Sequence, residues 1–208
     1  MKRLVLALSL CLPLFAAAET TEGNLFTGGD VARGESKAAT CGACHGPKGN
    51  SNNPEWPSLA GQGAVYLKTQ LESFRAGKRN NVLMNAQATG LSDQDIADLA
   101  AYYAAQTAKP GVASEASVAI AQPLYRAGDA ERGIPGCAGC HGPTGAGNPA
   151  AAYPHLAGQH ATYTAAALRA YRNGERGDSH NGQMMVTIAK QLTDEEIEAL
   201  ASYLNGLQ

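Results

Sequence analysis

Cys41-Gly-Ala-Cys44-His45 and Cys137-Ala-Gly-Cys140-His141 are the stretches of this 208-residue sequence whose residue types and spacing can do chemistry. Two cysteines three positions apart on a helical turn project to the same side, where both thiols can form thioethers with the vinyl groups of one haem. The following histidine is then held beneath the iron as the proximal ligand. Other readings explain less. A zinc centre of four thiolates leaves the histidine after each pair without a role. A thioredoxin-like redox pair belongs near a βαβ pattern, which the sequence lacks. Disulfides inside each motif would close only tiny loops and stabilise little. The favoured reading makes Cys41, Cys44, Cys137 and Cys140 the covalent anchors of two haem c groups, with His45 and His141 on the irons.

A sixth ligand for each iron can be sought by elimination. Between residue 19 and the second motif stand one histidine, His45, and one methionine, Met84, so Met84 is the candidate for the first haem. It lies seven residues before Leu91, in a stretch read as loop. The second half offers Met184 and Met185; Met185 stands seven residues before Leu192, so the repeat selects it, with Met184 left as a packing residue. His180 lies near both and stays open as a competitor. His155 answers to Ser58 and His160 to Gly63, which gives neither a counterpart in the first half; all three spare histidines read as surface or rim residues. Met/His ligation raises a haem's potential relative to bis-His and leaves no open site for oxygen or peroxide, so the chemistry implied is electron carriage, not catalysis.

Softer roles surround these ligands. Pro57 and Pro154 sit where a carbonyl could take the proximal imidazole N–H, or simply make turns. Arg75, Lys78 and Arg79 precede Met84, as Arg169, Arg172 and Arg176 precede Met185; such clusters pair with haem propionates or form a solvated face. Tyr66 and Tyr163 could pack on haem or reach a propionate, and Trp56 reads as core.

The elements that must position these residues come in two copies. The cysteine motif recurs after 96 positions, Leu59-Ala-Gly-Gln62 as Leu156-Ala-Gly-Gln159 after 97, and Leu91-Ser-Asp-Gln-Asp-Ile96 as Leu192-Thr-Asp-Glu-Glu-Ile197 after 101. Ile96, Leu99, Ala100 and Tyr103, and likewise Ile197, Leu200, Ala201 and Leu204, mark closing amphipathic helices. Thr193 with Glu196 is a capping box, and Ser92 with Asp95 a near equivalent. Further helices are predicted over 64–75 and 161–172, ended by Gly77 and Gly174, and a third leads into each cysteine motif. Gly133 stands four residues before Cys137 where Gly34 stands seven before Cys41, which predicts a shorter leading helix in the second half. No period-2 strand is evident, so the fold class is all-α: domains at 19–106 and 118–208 joined by a linker at 107–117, extended at first because Pro110 restricts Lys109.

Lys2 and Arg3, the apolar run Leu4–Leu12 and Ala16-Ala-Ala18 read as an export leader over 1–18, with the mature chain starting at Glu19. A lipoprotein signal on Cys11 is the rival, disfavoured by the large Leu10 before it. Without Lys2 and Arg3, 14 basic residues stand against 18 acidic, a mildly acidic chain unsuited to nucleic acid. With aromatics at only 6%, each half has little material for a core, which suits a domain built around an embedded apolar cofactor.

Each half resembles a class I cytochrome c, with its Cys-x-x-Cys-His near the start, a late methionine and a closing amphipathic helix. The tandem order, the two Leu-Ala-Gly-Gln elements and the two methionines resemble the dihaem cytochrome c4 family over essentially the whole mature chain. That resemblance implies a bacterial periplasmic carrier of two pseudo-twofold related domains, with haem propionates close together at the interface. It implies redox proteins as donor and acceptor, electrons passing toward a terminal oxidase, and association with the inner membrane in some members. The alternatives are a dihaem peroxidase, which must open one iron, and a haem-bearing subunit of a larger complex.

Overall fold

The computed structural model describes residues 24–208, so the leader over 1–18 and the start at Glu19 lie outside the described residues. The first half runs α1 (Val31–Lys37), α2 (Ala39–His45), α3 (Ala64–Arg75), α4 (Val82–Thr89) and α5 (Asp93–Ala104). The second runs α6 (Glu115–Ala127), a hairpin of β1 (Gly128–Asp129) and β2 (Ile134–Pro135), α7 (Ala138–His141), α8 (Ala161–Arg172), α9 (His180–Ala189) and α10 (Asp194–Gly206). Helices α3 and α8 have the bounds that the sequence predicts. Both closing helices start in reciprocal capping boxes. The Asp95 N–H donates to Ser92 Oγ at 3.1 Å while Asp95 accepts from the Ser92 N–H, and Glu196 and Thr193 repeat the pair.

Each closing helix is the spine of its half. In the first, α1 and α3 pack on α5, burying Leu67, Leu99, Tyr102 and Tyr103; in the second, α6 and α8 pack on α10, burying Leu124, Tyr125, Ile197, Leu200 and Leu204. Cys41 lies against the first cluster and Cys137 against the second, so each cysteine motif is seated on a core before any cofactor is considered.

Three local expectations change. The second half's leading helix is the longer one: α6 has 13 residues against seven in α1. It starts upstream of Gly133, beginning at Glu115 with Ser114 as its cap, and the hairpin β1–β2 intervenes before Cys137. Those two short strands also depart from a purely helical reading. Met84 lies in a helix rather than a loop, because Asn81 caps α4 by accepting from the Met84 N–H at 3.0 Å.

The halves meet through the repeated glutamines. Gln62 donates to the His155 carbonyl at 2.9 Å and accepts from the His155 N–H at 2.8 Å. Gln159 does the same to Ser58, at 2.9 Å in both directions. Ser58 and His155 are the equivalent positions of the two copies, so the contact is reciprocal, as a twofold relation requires. The connecting segment is fastened at both ends. Asn50 donates to the Thr107 carbonyl and accepts from the Lys109 N–H, while Asn205 accepts through its backbone from Gly111 and through its side chain from Val112.

Candidate functional site

Helix α2 carries Cys41, Cys44 and His45 within one turn and a half, and α7 carries Cys140 and His141 with Cys137 at its N-cap. Directly after each histidine the chain must reverse. Gly46 takes φ 76°, and a Cβ there would lie 2.0 Å from the Asn50 carbonyl oxygen, so glycine alone fits. The returning strand of backbone is fixed by the Leu-Ala-Gly-Gln element. In the first half, Leu59 and Ala60 donate to the Gly49 carbonyl, and Gly61 donates to Tyr103 at the end of α5. In the second, Leu156 and Ala157 donate to Gly145, and Gly158 donates to Leu204.

That tether places a proline carbonyl under each imidazole. His45 Nδ1 lies 2.8 Å from the Pro57 oxygen and His141 Nδ1 lies 3.0 Å from that of Pro154. A carbonyl only accepts, so Nδ1 carries the proton and donates, and Nε2 keeps the lone pair that a metal needs. Both rings are buried, which lowers their pKa and outweighs the opposite pull of the carbonyl, so each imidazole is neutral. The four cysteines of the two motifs form no disulfide with one another; Cys44 and Cys140 are exposed, and burial pushes the Cys137 thiol up to about 11. Among the described residues no three His, Cys, Asp or Glu side chains gather as metal ligands, so the four cysteines do not come together as the zinc reading needs. A pair of cysteines on one turn beside a neutral, oriented imidazole is the donor set that a covalent haem requires, and both halves supply it.

The methionines sit on short, pinned helices. Helix α4 is tied to the end of α3 by Asn85, which donates to the Phe74 and Arg79 carbonyls at 2.6 and 2.9 Å. Helix α9 is capped by Ser179 and anchored where Asn181 donates to the Ala151 carbonyl at 2.9 Å. Met84, Met184 and Met185 are all half-buried, and His180 is the exposed first residue of α9. The other two spare histidines are interface residues, which sequence reasoning missed. His155 Nδ1 lies 3.1 Å from the Gly61 oxygen and His160 Nε2 lies 2.9 Å from the Ser51 oxygen, both in the opposite half.

The arginine clusters separate into two kinds. Arg75 pairs with Asp93, Arg172 with Asp194, and Arg169 with Glu198 at the closing helices. Arg79 and Arg176 instead cross the interface, to Tyr163 and Tyr66 respectively.

Two compact helical domains, each presenting a seated Cys-x-x-Cys-His turn and a methionine helix, define a dihaem c-type cytochrome. The family model "Cytochrome c" matches residues 31–105 and again 122–208. Cytochrome c4 of Pseudomonas aeruginosa is 44% identical over 207 residues, covering 100% of both chains. The crystal structure of reduced recombinant cytochrome c4 from Pseudomonas stutzeri superposes with a TM-score of 0.82 at 42% identity, covering 86% of this chain and 100% of that one. A thiosulfate dehydrogenase electron acceptor of Stutzerimonas stutzeri is 39% identical, over 80% of this chain and 78% of its own. The chain belongs to the cytochrome c4 family. It carries two covalently bound haem c groups and is an electron-transfer protein, not an enzyme.

Proposed function

We propose that Cys41 and Cys44 hold the first haem and Cys137 and Cys140 the second, with His45 and Met84 on one iron and His141 and Met185 on the other. When bound, each haem supplies a one-electron ferric–ferrous couple. The protein's residues orient and enclose it. Pro57 and Pro154 fix each imidazole with Nε2 outward, α4 and α9 carry the methionines, and the cores beneath Cys41 and Cys137 limit water. The observation that carries this reading is the Nδ1–H bond of each histidine to its proline carbonyl, repeated in both halves. The domains are 19–106 and 118–208, joined through 107–117.

The carrier works in the periplasm after cleavage of the leader, passing electrons from a respiratory donor toward a terminal oxidase. Among the described residues no helix is long and apolar enough to cross a membrane. A second reading, favoured by the 39% identical thiosulfate dehydrogenase electron acceptor, makes a sulfur-compound dehydrogenase the donor. Ligation is tested by the ferric spectrum. Wild type should show a thioether-to-iron charge-transfer band for both haems. Met84→Ala and Met185→Ala should each remove about half of it and lower one potential, whereas Met184→Ala should leave it intact. An unchanged band in Met84→Ala sinks the first assignment, and its loss in Met184→Ala reverses the second.

A further inference from the structure

In each half a single peptide group lies between a proximal imidazole and a glutamine of the other half. The Pro57 carbonyl accepts from His45 Nδ1 at 2.8 Å, and the N–H of that same peptide, on Ser58, donates to Gln159 Oε1 at 2.9 Å. In mirror image, the Pro154 carbonyl accepts from His141 Nδ1 at 3.0 Å, and the His155 N–H donates to Gln62 Oε1 at 2.8 Å. Each glutamine also donates through its amide nitrogen to the carbonyl of the residue it grips, at 2.9 Å in both halves, which fixes Oε1 as the end that faces the peptide N–H.

The bonds form one continuous chain, largely shielded from water: Gln62, His45 and His141 are all buried, and Gln159 is half-buried. A peptide is a conjugated unit, so donation from its N–H moves electron density to its oxygen and makes that oxygen a stronger acceptor. A stronger acceptor draws harder on the Nδ1 proton and makes Nε2 of the same ring more basic. A more basic axial ligand favours ferric over ferrous iron. Each glutamine therefore acts on the iron of the half to which it does not belong.

We infer that Gln62 and Gln159 are positioning residues for the proximal ligand of the opposite half, Gln62 holding down the potential of the second haem and Gln159 that of the first. The inference rests on the reading of His45 and His141 as axial ligands and not on which methionines face them. Each half reaches its working potential only while seated on the other, because the repeated Leu-Ala-Gly-Gln element lends its glutamine to its neighbour. Other bonds across the interface lack this property: Ser73 donates to Asp178 at 2.5 Å without touching either proximal peptide.

The test is a redox titration of holoprotein followed by NMR, in which haem methyl signals assigned through their own thioether cysteines give the two potentials separately. In reduced wild type, ring protons of His45 and His141 shifted far upfield by the haem ring current establish ligation. Their absence would defeat the ligand assignment, and this inference with it, before any variant is read. Gln62→Leu should raise the second haem's potential by at least about a twofold change in its ferric–ferrous equilibrium constant and shift the His141 Nδ1 resonance, leaving the first haem and His45 as they are. Gln159→Leu should do the reverse. If Gln62→Leu does not fold, Gln62→Glu keeps an oxygen for the His155 N–H that accepts more strongly, and should lower the second potential more than the first. Ser73→Ala, the interface control, should move neither. An unchanged second haem or an equal rise at both haems in Gln62→Leu would overturn the proposal, as would a second potential that does not fall the further in Gln62→Glu, or a rise in Ser73→Ala.

Discussion

The two halves join their leading helix to their closing helix by opposite means. In the first, α1 meets α5 at Gly34, where a Cβ would lie 2.1 Å from the Asp98 carbonyl oxygen, and the lock is ionic. Asp98 is fully buried and receives Arg33 through two bonds of 3.0 Å, Lys37 at 3.2 Å, Gln94 at 2.9 Å and the Asp30 N–H at 2.9 Å. In the second, the equivalent residue is Ala199, and α6 meets α10 through Ala121, Leu124 and Tyr125, whose ring centroid lies 5.5 Å from that of Tyr203. One fold and one repeated cysteine motif therefore tolerate a charged or an apolar lock at the same crossing. The charged lock depends on every partner being present, whereas the apolar one depends mainly on area.

Exchanging the locks should break the comparison most sharply. Ala199→Asp puts a carboxylate into a site where Ala199 is 4% exposed and nothing corresponds to Arg33, and should destabilise the second half by about 3–5 kcal/mol. Denaturant titration followed at the haem absorbance will read it; a loss below about 1 kcal/mol would mean that the second crossing is wet. Asp98→Ala should cost the first half about 2–3 kcal/mol, less because the Arg33 side chain is 54% exposed and can reach water, although the Asp30 N–H stays buried without an acceptor. The smallest effect is in acid. Asp98 is buried, yet Arg33 and the Asp30 N–H hold it well below the usual carboxylate range, and Lys37 draws Asp95 down to about 2. Depressed folded-state values contribute stability above the unfolded pKa of about 4, and that stability is lost as pH falls through the folded values. In the second half Arg132 draws down Asp129 and Glu196, and Arg172 draws down Asp194, but none of the three is fully buried as Asp98 is. The first half should therefore loosen ahead of the second between about pH 4 and pH 2, and Asp98→Asn should abolish the difference. Simultaneous acid transitions in wild type would contradict the ionic lock.

Local patterns were legible in the sequence because local physics decides them. Helices α3 and α8 follow from apolar spacing ended by Gly77 and Gly174, and the two capping boxes follow from a hydroxyl three residues before a carboxylate. For Pro57 and Pro154 the sequence left two roles open, imidazole partner or plain turn, and the carbonyl contacts at His45 and His141 select the first. Helix α4 escaped because its eight residues carry no apolar stripe and depend on the Asn81 cap. Helix α6 was misplaced because the hairpin separates it from Cys137, and Pro123 lies inside it. His155, His160, Arg79 and Arg176 owe their roles to partners some 84 to 110 residues away, and no local pattern encodes such pairs. Asp98 takes its role from α1, which lies across α5 and brings Arg33 and Lys37 from more than 60 residues away.

The paired glutamines carry one more consequence. Gln62 grips the backbone at 155 and Gln159 grips the backbone at 58, so each half spends the same patch on the other. An isologous contact of this kind closes on itself: once two copies of the patch have met, none is left to recruit a third. Because Asn50 and Asn205 hold the connecting segment at either end, the two patches are also kept at high effective concentration. Through this surface the two halves satisfy each other, and the patch is spent within a single chain.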